Sequence, residues 1–315
     1  MARVSTNTNT YPQYQLTDAE VARRTQELLV RFGPFVQAAC ENNHRAVCVA
    51  VDGTDPLSDL ARNIECRAFE TLADNLPAEV MRDEYAPYED RSIFLIGIDL
   101  SESRVVATAR LIVGTGGLGP PVKAIRDIVE HPEYRSLSEC SNHASSEFST
   151  VDRWLLSSGT IGSICWPNGL MTRRSLEDAA GILSGATSLD VSSLARVRDL
   201  GARDAGVTWT PLLAGAIFRL CTHLGIGAIV AFLTSDLLNA IRQLCGAPWH
   251  DLGGLKPVHY VPGDTFTSQP AFLDIAEFSE TLDSRMKLVT RRPLPEVQLS
   301  AYAKDPSKAD AFALW

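Results

Sequence analysis

The chain has 315 residues, room for one large domain or two ordinary ones, and its 45% hydrophobic and 21% charged content is that of a soluble globular protein. A net charge of −9 argues against a general nucleic-acid binder, whose affinity rests on lysines and arginines neutralising phosphates, but leaves room for a local basic groove. The seven cysteines, at positions 40, 48, 66, 140, 165, 221 and 245, form no CxxC pair, which argues against a zinc ribbon or a disulfide framework and for reduced thiols in a cytoplasm.

Residues 1–16 are polar, lack the apolar core of a signal peptide, and predict a mobile arm. A helical pattern runs from Asp18 to about Asn42 with Thr17 as N-cap. "HRAVCVAV", His44 to Val51, predicts a strand, and the apolar spacing from Leu57 to Leu72 predicts a helix. "DEYAPYED" is acidic and aromatic and predicts a loop. Ser92 to Leu100 and Arg104 to Val113, joined by "SESR", predict an antiparallel hairpin.

Between Gly114 and Gly185 the patterning weakens, with a glycine- and proline-rich break and short helical stretches at Val151–Leu156 and Arg173–Leu183. A strand pattern returns at Ala186–Val197, and Pro211–Leu224 predicts a helix with Thr210 as N-cap. Ile226–Thr234 predicts a buried strand and Ser235–Cys245 a helix stopped by Gly246. "LKPVHYVP" predicts an edge strand, residues 270–290 a helix, and the remainder a weakly structured tail. The segment around Ala214 to Leu233 is broken by Arg219 and His223 and fits a core helix and strand better than a membrane span.

One stretch calls for a ligand. "RVRDLGARDAGVTWTPLL", Arg196 to Leu213, places arginines and glycines between a strand and a helix start. Backbone N–H groups, positive charge and a helix N-terminus together suit an anion. The glycines stand too far into the chain for a Rossmann turn, and neither GxxxxGK[ST] nor GxSxG occurs. Cys140, His143 and Cys165 lack the spacing and the fourth ligand of a metal site, so no metal is expected.

The order of elements predicts an α/β fold, a mixed sheet with helices on both faces. The motifs resemble those of the GNAT acyltransferase superfamily. "FLIGIDLSESRVVATARLIVG" is similar to its strands two and three, and "SLDVSSLARVRDLGARDAGV" to its fourth strand and pyrophosphate loop. In that loop Arg203, Gly206 and Thr208 take the patterned positions, and the last departs from the usual Gly or Ala. Asn239 and Gly246 match the helix after strand five. Within the superfamily the chain resembles acyl-homoserine lactone synthases and N-acyl amino acid synthases. The acidic stretch, Arg110-Leu111-Ile112, and Asp190-Val191-Ser192-Ser193 in place of E-x-S-R carry this likeness, with Asp for Glu and Ser for Arg.

The resemblance implies a GNAT-like single enlarged domain, with an N-terminal arm and helix (1–43), a core (44–261) carrying an insert (114–185), and a C-terminal helix and tail (262–315). It implies transfer of an acyl group from a phosphopantetheine thioester to an amine, with acyl carrier protein preferred over acyl-CoA and no tightly bound cofactor. The donor site would comprise Leu194, Arg196, Val197, Arg198, Arg203, Gly206, Val207, Thr208 and Asn239. Asp190 or Glu147, in "SSEFSTVDR", would be the base, and Ser193 holds the position of the family arginine. Arg110 would anchor a substrate carboxylate, fix the acidic stretch, or form a buried ion pair. An aminoacyl-tRNA donor is the alternative enzyme reading, weakened by the acidic charge. A GNAT-shaped binding protein without turnover is the non-enzymatic one.

Overall fold

The computed structural model describes residues 12–72, 77–114, 122–133, 188–196, 209–245, 249–251, 257–260, 266–275 and 311–314. Thr17 caps α1 (Asp18–Arg31) in a reciprocal box: the Glu20 N–H donates to its Oγ1, and its own N–H donates to Glu20 Oε2. The expected single helix is two, because α2 (Gly33–Glu41) restarts at Gly33-Pro34. β1 (Ala46–Asp52) and α3 (Ser58–Leu72) follow as expected. The acidic stretch is no loop. It forms the end of α4 (Ala78–Tyr85) and a 3-10 turn, Ala86–Arg91, leading into β2 (Ser92–Asp99) and β3 (Arg104–Val113).

After α5 (Lys123–Glu130) come β4 (Ser188–Arg196), α6 (Trp209–Leu224), β5 (Ala228–Thr234) and α7 (Ser235–Cys245). α6 begins at Trp209, ahead of the expected start, so Pro211 lies in the first turn, where helix N–H groups have no intrahelical acceptor. The chain ends in β6 (Trp249–Asp251), β7 (Ser268–Asp274) and β8 (Ala311–Leu314).

These strands make one mixed, open sheet in the order β6-β7-β5-β4-β3-β2-β1-β8. α3 lies on β2, β3 and β4 on one face, and α6 on β1, β2 and β3 on the other. The expected mixed sheet with helices on both faces is what forms, and it buries β2 along its whole length.

Three further expectations are corrected. Residues 270–290 do not begin as a helix: β7 lies between β5 and β6, and Pro270 is tolerated because the short β6 ends opposite Ala271. Among the described residues of "LKPVHYVP", 257–260, a bridge from Val258 to Ser268 forms in place of the expected strand. Finally, the N-terminal arm is packed where it is described, with Tyr14 and Leu16 buried. The helical stretches foreseen at 151–156 and 173–183 lie outside the described residues.

The fold opens a gap at its centre. β4 runs parallel to β5 only over Ser188–Asp190, opposite Ala228–Val230. β5 continues to Thr234 against β7. On its other side β4 stays on β3, but Arg110 pairs with Ser193 and Leu111 with Val191, so Ser192 is an extra residue, a bulge. A bulge bends its strand and raises the local twist, which turns the rest of β4 away from β5.

Candidate active site

A cavity of about 330 Å³ fills the gap, walled by β4 and β5 and by α3, α4, α5 and α7. Met81, Phe69, Phe232, Leu233, Leu237 and Phe266 make most of its surface apolar. A void of about 30 Å³ lies behind it, under α6, and Leu194 and Leu233 line both.

Asp190 faces the cavity and is fully buried. One oxygen, Oδ2, accepts the Ala124 N–H at 2.7 Å, at the start of α5. The other, Oδ1, has no hydrogen-bond partner among the described residues. A helix N-terminus thus holds the carboxylate by one oxygen and leaves the other free for a ligand. Burial pushes the Asp190 pKa up to about 7, against the opposing pull of the Ala124 N–H and Lys123.

Beside it stands a buried polar cluster. Lys123 Nζ lies 2.5 Å from Glu84 Oε1, contacts Asp127, and donates to the Tyr260 hydroxyl at 2.6 Å. The Tyr260 hydroxyl donates to Asp127 Oδ2 at 2.6 Å. Burial opposes the charge of Lys123, but its tyrosine and carboxylate neighbours outweigh burial and raise its pKa. An ammonium has three donors, and three acceptors surround this one.

Ser193 and Arg110 belong to a second network, behind the bulge. Ser193 Oγ donates to Glu65, on α3. Arg110 Nη2 donates to Glu65 Oε2 at 2.6 Å and to the Tyr14 hydroxyl at 3.0 Å, and its Nη1 to Glu89 Oε1 at 3.1 Å. Its guanidinium carbon stacks 3.9 Å from the Tyr85 ring centroid. Glu89 is in the acidic stretch, which Arg62 also grips. Arg110 therefore fixes that stretch through a buried ion pair, and it is not among the groups lining the cavity.

Of the expected donor-site residues, Leu194 lines the cavity, Arg196 is exposed at the end of β4, and Asn239 is exposed on α7. Val197, Arg198, Arg203, Gly206, Val207, Thr208 and Glu147 lie outside the described residues, as do Cys140, His143 and Cys165. Among the described residues no group of His, Cys, Asp and Glu could hold a metal ion. Nor is any described helix long and apolar enough to cross a membrane.

Sequence reasoning missed Lys123, Tyr260, Glu84, Asp127 and Glu65. Glu65 had a signal, since α3 buries Asp59, Arg62, Asn63 and Glu65 where an amphipathic helix buries apolar residues. Lys123 and Tyr260 are 137 positions apart and had none.

No family model matches the chain, and no curated protein matches it in sequence. Solved structures similar to it include BjaI, a CoA-dependent acyl-homoserine lactone synthase, at 15% identity and a TM-score of 0.39, over 76% of this chain and 89% of that one. FeeM, an N-acyl amino acid synthase from uncultured soil microbes, has 11% identity and a TM-score of 0.44, over 76% and 94%. An agmatine N-acetyltransferase has 13% identity and a TM-score of 0.38, over 72% and 99%. At these identities the likeness is one of fold.

Proposed function

We propose that the chain is an N-acyltransferase of the GNAT type. It moves an acyl group from a phosphopantetheine thioester to the amine of a small molecule, with acyl carrier protein preferred over acyl-CoA. The observation that carries this reading is Asp190: a buried carboxylate with one oxygen unpartnered among the described residues, facing a cavity opened by the parting of two parallel strands. The carrier preference rests on the motif resemblance to the synthases and on the Thr208 departure in the glycine loop.

An ammonium cannot attack, so its proton goes first to Asp190, whose pKa of about 7 suits a base at neutral pH. The amine nitrogen then bonds to the thioester carbon and the C–S bond breaks. The thiolate leaves as a thiol with the second nitrogen proton. Past Asp190, β4 has no ladder partner on its β5 side among the described residues, and its N–H groups there would meet the developing oxyanion. Arg198, Arg203 and the N–H groups of Gly206, Val207 and Thr208, just ahead of α6, would take the phosphate of the donor. Glu147 is the second candidate base.

The test is product analysis by mass spectrometry, with acyl carrier, acyl-CoA and an amine library offered to the protein. An amide formed faster from the carrier thioester is expected, with kcat in Asp190→Asn lower by ~10²-fold or more. Absence of any amide product sinks the enzymatic reading. Loss of activity in Glu147→Gln, with Asp190→Asn unaffected, moves the base to Glu147.

A further inference from the structure

We infer that the acceptor is a cationic amine without a carboxylate, such as a diamine, held in the β4–β5 cavity by Asp190, Glu84 and Asp236. This rests on the acyl-transfer reading and names the substrate class of the same site. Four carboxylates, of Glu84, Asp127, Asp190 and Asp236, line the described part of the cavity against one ammonium, Lys123. Even with Asp190 protonated the count is three to one. Arg126 touches Asp127 at 3.2 Å without lining the cavity, and the carboxylates still exceed the cations.

The single cation in that lining cannot serve a carboxylate ligand. Its three donors face Glu84, Asp127 and Tyr260, and its side chain is 4% exposed. A substrate carboxylate would find no spare donor on Lys123 and would meet like charge in a mostly apolar chamber, which is costly. A cation meets the reverse. Asp190 offers a buried oxygen without a partner among the described residues. Glu84 is 27% exposed, and Asp236 stands exposed in the first turn of α7. The reacting amine would sit at Asp190 and the second positive group against Glu84 and Asp236, the most exposed carboxylates of the lining.

The test titrates the full chain calorimetrically at low salt, without acyl donor, with putrescine and with γ-aminobutyrate, which replaces one amine by a carboxylate. Putrescine should bind about tenfold or more tightly than γ-aminobutyrate, as attraction replaces repulsion, and added salt should weaken it. Asp236→Asn, at an exposed position that folding tolerates, should weaken putrescine several-fold. Equal or tighter binding of γ-aminobutyrate, no binding of either probe, or an unchanged putrescine affinity in Asp236→Asn overturns the inference. Acyl transfer is followed separately. Amides formed on amino acids but not on diamines remove this acceptor class and leave the transferase standing. Tight putrescine binding without any acyl transfer does the opposite.

Discussion

Asp190 owes its chemistry to where its two oxygens point. The α5 N-terminus fixes one, and burial leaves the other without a partner among the described residues. Its raised pKa has two consequences. Activity should rise with pH through a limb near pH 7 as the carboxylate deprotonates, and Asp190→Asn should lose that limb. The folded state also binds this proton more tightly than the unfolded chain, whose Asp titrates near ~4. Stability is therefore lost as pH rises from about 4 to about 7, with burial of the ionised form as the cause. Asp190→Asn should melt above the parent at pH 8, by about 2–4 °C for each kcal/mol recovered, and should show less gain at pH 5. Thermal melts at the two pH values check this, and an equal difference at both removes the buried-carboxylate account.

At the scale of elements, the bulge in β4 and the glycine in β2 place the site. The bulge puts Ser193 on the same face as Asp190, where Ser193 is bound to Glu65 of α3 while Val191 packs under α6. α6 settles on the sheet through Trp209, whose ring occupies the space above Gly97: a Cβ there would lie 2.8 Å from Cζ3. Gly97→Ala should therefore cost about 1–3 kcal/mol through overpacking. It should also shift Trp209 and the chain entering α6, raising the donor KM more than it lowers kcat. Denaturant titration and steady-state kinetics read the two effects, and full stability in Gly97→Ala would show that the ring moves freely.

Across the whole molecule, the cavity wall is braced from far away in the chain. The Tyr14 hydroxyl donates to Glu89 at 2.6 Å and accepts from Arg110 across 96 positions. Tyr14→Phe keeps the ring but leaves a buried guanidinium N–H short of an acceptor, at a cost of about 1–3 kcal/mol by denaturant titration. On the proposed reading, the donor phosphate is taken by the segment that follows β4 in the chain. Arg203→Glu should raise the donor KM at least ~tenfold by turning a phosphate contact into repulsion, with the fold intact by circular dichroism. Unchanged donor kinetics would remove that loop from the site.

Much of this was legible in the amino-acid order, because local patterns carry it. The hairpin at Ser92–Asp99 and Arg104–Val113 and the helix at Ser235–Cys245 follow from β-rich runs, a short turn, a cap and a closing glycine, all of which act within a few residues. The motif order gives Asp190 and Glu147 as candidate bases, of which Asp190 lies among the described residues. Other features needed the tertiary structure. β7 reads locally as something else and becomes a strand because β5 offers it an edge. The ion pair of Arg110 with Glu65 joins residues 45 positions apart, and the cluster of Lys123, Tyr260, Glu84 and Asp127 is gathered from three separate segments. Spacing cannot announce such contacts, because the energy that rewards them exists only once burial has removed water from both partners. The sequence by itself thus determined the elements and the residue types at the strand ends. Only the packed sheet decided which carboxylate keeps an oxygen unpartnered among the described residues, since that depends on a bulge, a helix start and a gap between strands meeting at one point.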